Sequence, residues 1–131
     1  MSCFMVCLRK YAVFNGRAGR AEFWYFVLVG LIIQLLIAVG SMAYLDALTE
    51  AGVYPLNDYG YTIFALVSFG LNLALITPYI SVSVRRMHDT DRSGWTVAII
   101  LLPVLGYIVH LTLAAGNSTD GPNRYGEDTR K

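Results

Sequence analysis

Three long segments without a charged residue constrain this chain most. They are 23–45, 61–84 and 95–115, and none contains Asp, Glu, Lys or Arg. At about 1.5 Å per residue, roughly 20 apolar residues in a helix cross a hydrocarbon core about 30 Å thick. With 131 residues, of which 56% are hydrophobic and 15% charged, the chain has too few polar residues to cover three such helices in water. The sequence therefore predicts an all-α integral membrane protein with three transmembrane helices in a single domain, 1–131.

A short amphipathic pattern precedes the first span. Apolar residues recur at steps of three and four within 3–14, whereas Arg9 and Lys10 lie off that face. This pattern is typical of an interfacial amphipathic helix with its basic side toward lipid headgroups. A helix packed on the protein's own spans would show the same pattern. Cys3 and Cys7 lie four residues apart on it, and we interpret both as small apolar residues.

The basic residues are distributed unevenly between the connectors. The first connector, 46–60, contains no Lys or Arg. The N-terminal flank and the second connector, 85–94, contain Arg9, Lys10, Arg17, Arg20, Arg85, Arg86 and Arg92. By the positive-inside rule, the N-terminus and the second connector face the cytoplasm and the first connector faces outward. Three crossings would then leave the polar tail, 116–131, on the outer side.

The third span is interrupted near its middle by Pro103 and Gly106. Proline removes a helical hydrogen bond and glycine weakens a helix, so the segment is either a kinked crossing or a re-entrant hairpin that returns the tail to the cytoplasm. Irregular backbone is prohibitive where it faces lipid, so a hairpin would need burial among other helices. Because only two other spans are available, we expect a crossing over 95–115.

The second connector concentrates ionisable side chains at the membrane depth where the first span begins. Charges at the lipid boundary prefer to pair or to hold anionic headgroups. We expect one interfacial charge cluster in which Glu22 pairs with Arg85 or Arg86 and the spare arginines hold a phosphate-bearing headgroup. The predicted cluster consists of Arg17, Arg20, Glu22, Arg85, Arg86, His88, Asp89, Asp91, Arg92 and Trp95.

The same residues also have a purely structural interpretation, as topology signals and helix caps. The acidic residues and His88 match no standard zinc or calcium spacing, and three arginines in the connector would repel a cation, so no metal or cofactor is expected. No nucleophile motif accompanies His88, so no catalytic residue is predicted. Without a basic excess or a recognised module, nucleic acid is not an expected partner.

Four motifs in order, FNGRAGRAEFWYF, VRRMHDTDRSGW, LLPVLG and GPNRYG, resemble the domain-of-unknown-function family 805, small bacterial inner-membrane proteins. The resemblance covers nearly the whole chain. It implies a multi-pass protein of the bacterial inner membrane, here with a cytoplasmic N-terminus and a periplasmic C-terminus, whose biochemical role is unsettled. It also adds a tail motif to the candidate site: Asn123, Arg124, Tyr125 and Gly126.

Three functional hypotheses follow. The favoured one is a non-enzymatic accessory or regulatory protein that binds anionic lipid headgroups, a second copy of itself or another membrane protein, because the spans contain no charged reactive group. The alternative is an oligomeric small transporter or channel lined by Gln34, Asn72 and His110. A second alternative is an interfacial enzyme that acts on lipid headgroups through His88.

Overall fold

The computed structural model describes residues 3–55 and 58–129. Within those ranges the regular secondary structure is helical, apart from one antiparallel bridge between Asn123 and Gly126. The helices are α1 (Cys3–Arg9), α2 (Arg20–Glu50), α3 (Tyr59–Asp89), a 3-10 helix (Gly94–Leu101) and α4 (Leu105–Ala115).

Helices α2 and α3 contain the first two predicted spans. Each has 31 residues, so each extends beyond the predicted span and is long and apolar enough to cross a bilayer. A core helix of a soluble protein would bury its apolar side chains, yet large ones here are exposed, Leu36 to 67%. Lipid is the environment in which such exposure is favourable. The predicted all-α membrane class is confirmed.

The chain divides into two compact units. The span unit is Leu28–Ile76, and the headpiece comprises the residues up to Val27 and from Thr77 onward. Within the span unit, the Gln34 amide donates to Oδ1 of Asn72. The headpiece contains every residue of the predicted cluster and of the tail motif.

Helix α1 is shorter than the predicted 3–14, since it ends at Arg9. Its apolar face packs on α2: Cys7 is fully buried, and the ring of Phe4 stacks on that of Phe26 at 5.5 Å between centroids. Arg9 and Lys10 are exposed. The helix therefore packs on the protein's own span with its basic side outward, and its position in the interface stays a prediction.

The third apolar segment forms a hairpin. The 3-10 helix packs against α4, and Gly106 permits their close approach, because a Cβ there would overlap the carbonyl oxygen of Ile99. Both ends of the segment lie at the C-terminal end of α3. A Cβ on Gly94 would lie 2.8 Å from Cγ1 of Val84, and Arg86 donates to the Gly116 carbonyl at 2.6 Å. The segment thus folds back on itself as two short helices, where the sequence predicted one continuous helix over 95–115.

The turn of the hairpin satisfies part of its own backbone. The N–H groups of Leu102, Leu105 and Gly106 donate to carbonyls within the hairpin at 3.0, 2.7 and 3.0 Å. Pro103 has no N–H to satisfy. These bonds lower the burial among other helices that irregular backbone needs in a membrane.

The described part of the tail, 116–129, follows the hairpin back to the second connector. The Thr119 N–H donates to the Asp89 carbonyl at 3.0 Å. The described part of the tail therefore contacts the connector directly, and the membrane side of each stays a prediction. The terminal Lys131 lies outside the described residues.

The hairpin turn generates a stability prediction. Val104 has φ 61° and ψ −66°, a conformation that costs a β-branched residue about 1–3 kcal/mol. We expect Val104→Gly to raise the thermal midpoint of the protein in detergent, because glycine adopts positive φ without a side-chain clash. As a control, Leu105→Gly lies within α4 and should cost about 1 kcal/mol. A lower midpoint for Val104→Gly would show that the turn is unstrained.

Candidate functional site

The carboxylate of Asp89 lies at the centre of the headpiece. Asp89 is the last residue of α3 and is fully buried. Its oxygens accept hydrogen bonds from Arg17 Nε at 2.8 Å, Ser118 Oγ at 2.5 Å, Thr129 Oγ1 at 3.0 Å and Arg86 Nη1. A carboxylate away from water keeps its charge only when its lone pairs are satisfied and a cation lies beside it. Asp89 meets both conditions.

The two arginines on Asp89 use their remaining N–H groups on backbone carbonyls. Arg17 donates to Thr119 O at 2.9 Å and to Gly121 O at 2.7 Å. Arg86 donates through Nε to Ala114 O at 2.8 Å and through Nη2 to the Gly116 carbonyl. The last carbonyls of a helix lack intrahelical partners and attract cations. Arg86 therefore caps α4, and both arginines attach the tail to the connector.

Arg85 forms a separate buried pair. Its Nη1 lies 2.5 Å from Oε1 of Glu22, with side-chain exposures of 1% and 16%. Nε and Nη2 of Arg85 have no hydrogen-bond partner among the described residues. The Glu22 carboxylate is therefore the main group that stabilises the buried charge of Arg85. Of the two partners expected for Glu22, the structure selects Arg85, because Arg86 is engaged by Asp89.

Cys7 lies against this pair, with its Sγ 3.6 Å from Oε1 of Glu22. Burial, reinforced by the Glu22 charge, raises the pKa of the Cys7 thiol to about 12. The thiol is therefore protonated at neutral pH and acts as a small buried donor, in keeping with its interpretation as an apolar residue.

The tail motif contacts the outer side of the connector. The Tyr125 ring stacks on the His88 ring at 3.8 Å between centroids, with an interplanar angle of 5°. Asn123 Nδ2 donates to the His88 carbonyl at 2.9 Å, and Arg124 Nε lies 3.3 Å from an Asp91 oxygen on the surface. Gly126 closes the turn by its backbone bridge to Asn123. Tyr125 and Asn123 thus fix the tail over His88.

His88 is held as a structural residue. Its Nδ1 lies 3.2 Å from the carbonyl oxygen of Gly16, which requires Nδ1 to carry the proton. Asp89, the neighbouring carboxylate that an enzyme would use to orient a catalytic imidazole, is occupied by two arginines. The described residues contain no group of three or more His, Cys, Asp or Glu side chains placed to hold a metal ion.

Three predicted residues lie at the rim of the buried cluster. Arg20 is exposed and donates to Gly116 O at 3.0 Å and to Asn117. Arg92 is exposed, and Trp95 is 86% exposed. For neither of these two side chains does the described structure give an ionic or hydrogen-bonding partner. The structure therefore separates the predicted cluster into a buried set and an exposed set.

Several contacts of the site were missed from the sequence, namely those made by Ala114, Gly116, Ser118, Thr119, Gly121 and Thr129. Most act through backbone carbonyls, which carry no residue-type signal. The available signal was indirect: a polar tail with the GPNRYG motif follows a third apolar segment that Pro103 and Gly106 interrupt.

The fold and the site define a class: a small multi-span α-helical membrane protein whose connector and tail are joined through buried arginine–carboxylate pairs. The chain belongs to the family described as "Protein of unknown function (DUF805)", whose profile matches residues 11–127. This confirms the resemblance drawn from the motifs. The matched region includes both the cluster and the tail motif.

Named relatives support the membrane assignment. Inner membrane protein YhaH of Escherichia coli K12 is 31% identical over 130 residues, covering 99% of this chain and 98% of the relative. Inner membrane protein YhaI is 32% identical over 130 residues, covering 99% and 97%. Uncharacterized protein YiiR is 26% identical, covering 89% and 86%. No solved structure matches the chain.

The assignment of partners within the site predicts a specific coupling. In a double-mutant cycle, Glu22→Gln and Arg85→Gln should show a coupling energy of about 1–3 kcal/mol, because they remove the two ends of one buried pair. Glu22→Gln and Arg86→Gln should be additive to within about 0.5 kcal/mol. Chemical or thermal unfolding in mild detergent measures both cycles. Equal coupling of Glu22 to both arginines would contradict the assigned pairing.

Proposed function

We propose that this protein is a non-enzymatic accessory or regulatory protein of the bacterial inner membrane that binds anionic lipid headgroups through the exposed basic residues of its headpiece. One observation carries the proposal: three buried arginines are paired with carboxylates, whereas two exposed basic residues are not. Arg17, Arg85 and Arg86 are buried and paired with carboxylates. Lys10 and Arg92 are exposed and have no carboxylate partner within the described part of the chain.

Aromatic side chains lie near the exposed basic residues in the sequence. Tyr11 and Phe14 follow Lys10 and are exposed, as is Trp95, three residues after Arg92. Tyr and Trp favour the headgroup region, where an apolar ring and a polar edge are both accommodated. Each Lys or Arg near an anionic surface contributes about 1 kcal/mol. The combination supports attachment to anionic lipids rather than to neutral ones.

The alternatives have weaker support. A transporter would need polar side chains free to meet its cargo, whereas Gln34 and Asn72 hydrogen-bond to each other. His110 is buried against the rings of Phe23 and Tyr79. A lipid-acting enzyme would need an accessible base, whereas His88 is covered by Tyr125 and bonded to Gly16.

We also infer that the N-terminus, the second connector and the tail all face the cytoplasm. Two observations support this topology. The first connector, 46–60, contains no Lys or Arg, which favours its exposure on the outer side. The tail hydrogen-bonds to the second connector, which supports its location on that connector's side.

Cysteine labelling tests the topology. In a background with Cys3 and Cys7 replaced by Ala, Pro122→Cys should resist a membrane-impermeant maleimide in whole cells and react once the membrane is permeabilised. Val53→Cys, in the first connector, should react in whole cells. Both side chains are exposed. Reaction of Pro122→Cys in whole cells would place the tail, and with it the connector, outside.

Lipid binding is tested by native mass spectrometry of the detergent-purified protein titrated with phosphatidylglycerol. The double variant Lys10→Gln with Arg92→Gln should weaken binding by about 2 kcal/mol, or roughly 30-fold, because two basic side chains are lost. Arg124→Gln is the matched control: Arg124 is also exposed but is paired with Asp91. Phosphatidylglycerol binding that is unchanged in the double variant would refute the proposal. An equal loss of binding in Arg124→Gln would refute it as well.

A further inference from the structure

The tip of the hairpin is an exposed apolar surface. Leu101, Val104 and Leu105 are exposed to 84%, 72% and 71%, and no Asp, Glu, Lys or Arg occurs between Trp95 and Ala115. Contiguous apolar surface of this kind is unfavourable in water and marks a site of contact with a membrane or a partner.

The lengths of the two arms match half of a bilayer. The 3-10 helix has eight residues and α4 has eleven, so each arm is about 16 Å long at rises of about 2.0 and 1.5 Å per residue. The hydrocarbon core is about 30 Å thick. An arm that starts at one edge of this core therefore ends near its midplane.

The base of the hairpin is fixed at the membrane edge by charge. Arg86 donates to the carbonyls of Ala114 and Gly116, at the end of α4, and Gly94 lies beside His88 at the start of the 3-10 helix. Ionised groups such as Arg86 and Asp89 are expensive in hydrocarbon and are retained at the interface. The base therefore cannot sink into the membrane, and the tip points away from it.

We propose that the hairpin inserts into the hydrocarbon from the cytoplasmic side only and ends near the midplane, so that its tip contacts the acyl chains of one leaflet. Only the identity of that leaflet rests on the topology inferred under the proposed function. The depth rests on the arm lengths and the charged base.

Two features of the hairpin suit it to hydrocarbon. The N–H groups of Leu102, Leu105 and Gly106 donate to carbonyls within the hairpin. These bonds lower the cost of irregular backbone in lipid. One side of α4 packs on the protein through His110. Its ring contacts those of Phe23 and Tyr79 edge-on, with centroids 5.8 and 6.2 Å apart. The opposite side exposes Ile108. The hairpin thus has one face for protein and one for acyl chains.

Tryptophan quenching by brominated lipids measures the depth. Single-tryptophan protein is made with Trp24→Phe and Trp95→Phe plus Leu102→Trp, and is reconstituted in phosphatidylcholine–phosphatidylglycerol vesicles. Bromines near the chain ends should quench this variant more strongly than bromines near the headgroups. The order should reverse in the control that retains Trp95 alone, at the base. Leu105→Trp provides a second tip position if Leu102→Trp folds poorly.

Three outcomes overturn the proposal. Stronger quenching by shallow bromines would place the tip at the interface. Weak quenching by every lipid, together with disulfide crosslinking of Leu102→Cys between copies, would show that a second copy covers the tip. Labelling of Leu102→Cys from outside the cell would show a full crossing. Failure of the headgroup proposal would instead appear as unchanged phosphatidylglycerol binding, which leaves the quenching order unaffected.

Discussion

The buried carboxylate of Asp89 is the interaction on which the headpiece depends. It joins the loop before α2, the end of α3 and the tail, because its donors are Arg17, Arg86, Ser118 and Thr129. These segments are far apart in sequence. Each charge is expensive to bury alone, so the segments are stable there only when they are together. The return of the tail to Asp89 in turn requires the third apolar segment to fold back on itself.

Ionic and hydrogen-bonded contacts perform here the role that apolar packing performs in a soluble core. Arg85, Arg86, Phe23, Met87 and His110 are the largest fully buried side chains described, and two of them are arginines. Lipid tails are as apolar as leucine, so apolar burial gives little preference for one helix arrangement in a membrane. Paired charges supply that preference, since removal of one partner from a buried pair typically costs about 3–5 kcal/mol.

The sequence predicted the elements better than the contacts between them. Charge-free length alone located α2 and α3, and the clustering of ionisable residues identified the members of the site. The hairpin was missed because the argument counted other helices for burial. The internal hydrogen bonds of the turn, which lower its need for burial, carry no residue-type signal. The arginine contacts were missed because Arg17 and Arg86 donate largely to backbone carbonyls, which any residue provides.

The division between buried and exposed basic residues also determines how variants are interpreted. Arg86 is fully buried, and each of its three nitrogens donates to Asp89, α4 or the tail, so a phosphate outside the headpiece has no access to it. Loss of Arg86 should lower stability, and any loss of lipid binding would follow from unfolding. Lys10 and Arg92 hold no described segment in place, so their loss can change binding while leaving the unfolding midpoint unaltered. Measurement of the unfolding midpoint and of lipid binding on each variant therefore separates residues that stabilise the headpiece from residues that bind lipid. The positive-inside pattern alone does not separate them, because it counts every Lys and Arg equally.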